Sequence, residues 1–133
     1  MISAVADTHT AIWYLFGDPR LSRAAFEFID QSVKERKKIA ISAITLAEVV
    51  YLGEKGRVPA GTLVAMVTAL RRPDGALQEV PLDAAIVEQM ENVSRLDVPD
   101  MPDRIVAATA LRFGVPIISR DRKIQASKLN TIW

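Results

Sequence analysis

Cysteine is absent from this 133-residue chain. That excludes disulfide bridges and thiolate metal sites and agrees with a reducing cytoplasm as its location. There is a single histidine, His9, so imidazole-rich zinc or copper centres are excluded as well. No apolar run is long enough to cross a bilayer. The first residues carry no basic segment ahead of an apolar stretch, so no signal peptide is expected. An excess of charge is also missing: 17 Lys and Arg stand against 16 Asp and Glu, a net charge of +1. Wholesale attraction to nucleic acid is thereby excluded, and any such contact has to come from local clustering. Repeats, low-complexity tracts and linkers are lacking, and the length suits a single domain over residues 1–133.

Apolar residues are plentiful, at 50% of the chain. That fraction implies a sheet buried on both faces, a subunit interface, or both. Ile2–Ala6, Ile39–Ser42, Leu77–Val80 and Val115–Ser119 read as buried strands, and Leu129–Trp133 as an edge strand. Between them apolar residues recur at three and four, the helical period. After a polar turn at Asp7-Thr8-His9-Thr10, one such helix covers Ala11–Phe16 and stops at Gly17-Asp18-Pro19. Ser22 opens a second, with Ala25, Phe28, Ile29 and Val33 on one face. Ser42 caps a third over Ala43–Lys55, closed by Gly56, and a fourth begins at Pro59 and carries Leu63, Val64, Val67 and Leu70. Asp83 caps a helix from Ala84 to Asn92, and another runs through Ile105 to Phe113 and ends at Gly114. Strands alternating with helices predict an α/β domain with a parallel sheet. Right-handed crossovers then place the carboxyl ends of the strands on one rim, where open sheets bind ligands.

Four carboxylates fall at that rim, each with a plain structural alternative. Asp7 ends the first strand and is equally suited to cap a helix. Asp103 follows Asp100 at the spacing of a capping box, with Pro102 in the first turn. Glu48 is the only charge within Ile44–Leu52 and has no Lys or Arg three or four residues away, so it either lies on the helix's one wet face or serves a site. Asp121 lies just past the last apolar strand, as a turn aspartate does. Brought together, such carboxylates repel one another unless cations neutralise them. Oxygen donors without Cys point to Mg²⁺ or Mn²⁺, and a site of that kind suits hydrolysis of a phosphodiester. Arg104, Arg120 and Arg122 are phosphate contacts on charge grounds. The basic run Lys34–Lys38 is either a solvated helix end or a nucleic-acid contact.

The order Asp7-Thr8, Glu48 within Thr45–Val49, Asp103–Ala110 and Ser119-Arg120-Asp121 resembles the PIN-domain family over essentially the whole chain. Within it the closest subgroup is the VapC toxin ribonucleases of bacterial toxin–antitoxin modules. The resemblance implies a three-layer α/β/α sandwich with a central, mainly parallel sheet, a metal-dependent endoribonuclease, a homodimer and a small antitoxin partner. Residue by residue, it implies that Asp7, Glu48 and Asp103 hold the invariant acidic positions and Asp121 the fourth. Asp100 matches an acidic position that can ligate a second metal ion. Thr8 and Ser119 match hydroxyl residues near the site, and no role carries over to His9. The apolar face of Leu63, Val64, Val67 and Leu70 is expected to serve the dimer and an antitoxin groove. Rival readings are an RNA-processing nuclease of the same family without an antitoxin, a non-catalytic binding module, and a phosphoacceptor signalling domain. The last requires an acceptor Asp ending a middle strand, where Ser42 and Val80 stand instead.

Overall fold

A computed structural model describes residues 1–133. Five strands, β1 (Ile2–Ala6), β2 (Lys38–Ser42), β3 (Leu77–Val80), β4 (Ile117–Ile118) and β5 (Thr131–Ile132), form one sheet in the order β3-β2-β1-β4-β5. Every pairing is parallel. Alternation along the strands divides the interior into two cores. Ala4, Ala6, Ile39, Ile41, Leu77 and Ile118 face one, whereas Val5, Ala40, Val80 and Ile117 face the other. The first core is covered by α1 (Thr8–Phe16), α2 (Arg23–Lys34), α3 (Ala43–Glu54) and α4 (Thr62–Leu70); the second by α5 (Ala84–Gln89), α6 (Met101–Phe113) and α7 (Arg122–Ala126). The result is the expected α/β/α sandwich. Because β1 is central and the chain proceeds from it first through β2 to β3 and later to β4 and β5, the strand order reverses beside β1. That is where an α/β sheet opens a crevice at its carboxyl edge.

Several elements differ from their sequence expectation, each for a local reason. The polar turn before α1 does not exist, because Asp7 caps the helix and Thr8 is already its first residue. Pro59 does not open α4: Gly61 adopts a φ of 84°, which side-chain-bearing residues avoid, and the helix starts at Thr62. The Thr62 hydroxyl ties the intervening turn by donating to the Pro59 carbonyl at 2.6 Å. After α5 the chain tightens into a 3₁₀ turn over Met90–Asn92. β4 is only Ile117–Ile118, shorter than its apolar run. On α4, Leu70 packs against the first core and Val67 is half-buried, leaving only Leu63 and Val64 exposed of the four apolar residues assigned to an outer face. No helix is long and apolar enough to cross a membrane.

Candidate functional site

β1 passes into α1 without a loop, and Asp7 stands at the junction with an extended backbone, φ −73° and ψ 174°. Its Oδ1 accepts the Thr10 N–H at 3.0 Å, and its other oxygen accepts the hydroxyl of Ser119, the residue after β4. The Thr10 hydroxyl in turn donates to the Ile118 carbonyl at 2.9 Å, riveting the start of α1 to β4. Capping and facing the rim are thus one placement rather than alternatives. Ser119 also accepts the Asp121 N–H at 3.0 Å. Asp121 caps α7, a helix the sequence reads as a turn, by accepting the N–H groups of Lys123 and Ile124 at 2.8 and 3.1 Å.

Glu48 reaches the same rim from α3. The Thr8 hydroxyl donates to its Oε1, and the Thr45 hydroxyl is paired with that of Thr8 at 3.1 Å. Burial pushes the Glu48 carboxyl above its ordinary pKa; Thr8 opposes this, the Asp100 carboxylate adds to it, His9 opposes it and Asp7 adds to it. At the start of α6, Asp100 occupies the N-cap position, yet its side chain makes no capping bond. Asp103, in the first turn, has its pKa pushed up to about 7. Burial is the main cause, followed by the negative charges of Asp100, Asp121, Glu48 and Asp7.

These groups share one cleft of about 780 Å³. Asp7, Thr8, Glu48, Asp100, Asp103, Arg120, Asp121 and Arg122 line it, together with His9, Trp13 and Arg20. Ser119 lies beneath, acting through Asp7 and the Asp121 backbone. Arg104 is the exception among the residues assigned to phosphate contact. One step along α6 from Asp103 is a turn of about 100° around the helix, and its guanidinium is directed elsewhere. It donates to the carbonyls of Met90 and Val93 at 2.6 and 3.1 Å, with Nε buried and unpartnered. Arg104 therefore ties α6 to the 3₁₀ turn and does not face the cleft. Trp13 and Arg20 carry no local signal of a site in the sequence.

The acidic set can be tested against a divalent cation by its chemistry. All its donors are oxygens, and none of its five carboxylates enters an ion pair, since the four pairs of the molecule lie elsewhere. The raised pKa of Asp103 comes first from burial and then from the neighbouring carboxylates, and a cation would relieve the second. No three of these groups converge as a ready-made coordination group. The residues fit a hard cation by donor type and charge.

The family model of the PIN domain matches residues 4–128. Ribonuclease VapC22 of Mycobacterium tuberculosis is 23% identical over 136 residues, spanning 100% of both chains. Among solved structures, VapBC2 from Rickettsia felis bound to a fragment of promoter DNA superposes with a TM-score of 0.70 at 17% identity, covering 98% of this chain and 97% of that one. A toxin–antitoxin complex from Klebsiella pneumoniae gives 0.64 at 25% identity, with 98% and 97% covered.

Proposed function

The chain belongs to the PIN-domain family, and on that premise we propose that it is a metal-dependent endoribonuclease and the toxin of a toxin–antitoxin module. The observation that carries the reading is the unpaired acidic cleft at the carboxyl edge of the sheet, where Asp103 is pushed to about 7 by burial and by its neighbours. Asp7, Asp103 and Asp121, with Asp100 at the outer edge, would hold Mg²⁺ or Mn²⁺. The ion, when bound, lowers the pKa of water and steadies the negative charge that builds on the phosphate. The chain's own residues do the positioning. Ser119 fixes the Asp7 carboxylate, and Thr8, itself held by Thr45, fixes Oε1 of Glu48. Oε2 of Glu48 is left free to take a proton from water, a task suited to a carboxyl whose pKa is raised. Arg120 and Arg122 contact the RNA phosphates.

VapC22 is a ribonuclease by name, and the Klebsiella structure is a complex of toxin with antitoxin. By analogy with the Klebsiella complex this chain binds an antitoxin, and its apolar surface supports a homodimer. Exposed Val50, Tyr51, Leu63 and Val64 beside a groove of about 360 Å³ between α3 and α4 supply apolar surface for such contacts. The test is cleavage of labelled single-stranded RNA by the purified protein. Cutting is expected with Mg²⁺ or Mn²⁺ and not in excess chelator. Undiminished cutting in chelator overturns the metal assignment, and no cutting under any metal overturns the nuclease.

A further inference from the structure

The cleft has a second half that the acidic chemistry does not use. Trp13 is only 6% exposed and packs in the first core, with the Trp133 ring 5.9 Å away. Its remaining surface meets the His9 ring, centroids 5.7 Å apart, and two guanidinium groups, those of Arg20 and Arg120, each with its central carbon 5.1 Å from the ring centroid. Arg20 comes from the turn after α1 and Arg120 from the segment after β4, so the fold rather than local sequence brings the two positive charges to one ring. Arg20 is further fixed by Asp18, which accepts from Nε and from the terminal nitrogen at 3.1 and 2.8 Å. Arg120 has no ion-pair partner although five carboxylates line the same cleft. Left to pairwise attraction these groups would neutralise one another. They instead stay apart: Arg120 lies on the Trp13 ring rather than against one of the cleft's acids, and the carboxylate that holds Arg20 there is Asp18, outside that acidic set.

From this segregation we propose that Arg20, together with Arg120 on the shared Trp13 mount, is a positioning clamp for the phosphates of a single-stranded RNA backbone. The inference rests on the nuclease reading and extends it to Arg20. Stacking on an immobile indole restrains both side chains before the ligand arrives, which lowers the ordering cost of binding. The guanidinium N–H groups not directed at Asp18 stay free to donate to phosphate oxygens. Asp18 holds Arg20 in place without filling its remaining donors. Its own carboxyl is lowered to about 2, chiefly by hydrogen bonding from Arg20, so it remains an anion at any working pH.

The experiment measures binding of a fluorescent single-stranded RNA in chelator across a range of salt, and steady-state cleavage of the same RNA in Mg²⁺. Wild type is compared with Arg20→Gln, Arg20→Lys, Arg120→Gln and Arg112→Gln, with a melt on each. Arg112 lies in the last turn of α6, at the far end of that helix from the cleft, and controls for loss of one charge. Arg20→Gln and Arg120→Gln should each weaken binding several-fold and lower the slope of log affinity against log salt by about 0.7. They should raise KM more than they lower kcat. Arg20→Lys should recover the slope but only part of the affinity, since it lacks the planar stack. Wild-type affinity and slope in Arg20→Gln, from a protein that still cuts RNA, would overturn the clamp and leave the nuclease standing. An equal loss in Arg112→Gln would overturn it too, as unspecific charge. If wild type neither binds nor cuts RNA, both readings fall together. Should Arg20→Gln melt early, Arg20→Lys and Arg120→Gln carry the comparison.

Discussion

At the β1–α1 junction both oxygens of Asp7 are engaged, one by the Thr10 N–H and the other by the Ser119 hydroxyl. At the start of α6, facing the same cleft, Asp100 makes no capping bond, and Asp103 is destabilised as an anion by burial and by four neighbouring carboxylates. Both places are helix N-termini, where peptide dipoles favour negative charge, so the backbone does not account for the difference. Donors account for it. Asp7 is built into the frame, with one protein donor on each oxygen and lone pairs left on both. Asp103 is held in position with its charge unanswered, which is the condition of a group kept for a ligand.

The largest test of that contrast is Asp103→Asn. The amide keeps the shape and removes the anion, so RNA cleavage should fall by orders of magnitude while the melting temperature holds or rises as repulsion is relieved. Near wild-type cutting would break the comparison. Asp7→Ala should lose cleavage as well, but with the opposite sign in stability: a loss of about 1 kcal/mol or more from the missing cap, visible in a denaturant melt. A variant as stable as wild type would mean that Asp7 is no more part of the frame than Asp103.

A third test uses pH. The folded Asp103 binds its proton more tightly than the unfolded chain does, since its pKa is raised from 3.8 to about 7. Between those values the native state carries the extra proton, so stability of the metal-free protein should fall as pH rises from about 4 to about 7, then level off. Asp103→Asn should flatten that slope, and Mg²⁺ added above pH 7 should raise the melting temperature of wild type only. A pH profile unchanged by Asp103→Asn would place the titration elsewhere. The smallest effect is expected from Asp100→Asn, whose exposed side chain caps nothing. Cleavage should drop by less than in Asp103→Asn, with stability near wild type. A loss as large as that of Asp103→Asn would move Asp100 to the centre of the site.

The sheet was legible in the chain because its inner strands β1, β2 and β4 are short apolar runs, and Asp7, Asp103 and Asp121 were legible because each stands where an apolar element begins or ends. What stayed hidden depended on geometry that spacing does not encode. Arg104 sits next to Asp103 in sequence, but the helical turn between them sends its guanidinium to Met90 and Val93. α7 is five residues long and buries only Ile124, too little for a periodic signal. Gly61 delays α4 through a backbone angle that composition does not display. Arg20 gains its meaning from Trp13 and from Arg120, which follows β4 far along the chain. Thr45 entered as one apolar-helix residue among several, and its tie to Thr8 appears only once α1 and α3 are packed.

The earliest of the five strands in chain order is the middle strand of the sheet, and one of its two neighbours, β4, follows only after β2 and β3. Asp7 meets the hydroxyl that holds it 112 residues later in the chain. Pairings so distant form late, because a long loop must close before they reward the chain. On a nascent polypeptide Asp7 and Glu48 are therefore already synthesised while Ser119, Arg120 and Asp121 are still missing, and the cleft has only one side. On the proposed reading, a chain truncated before β4 would carry Asp7 and Glu48 but lack Ser119, Arg120 and Asp121, and with them one wall of the cleft.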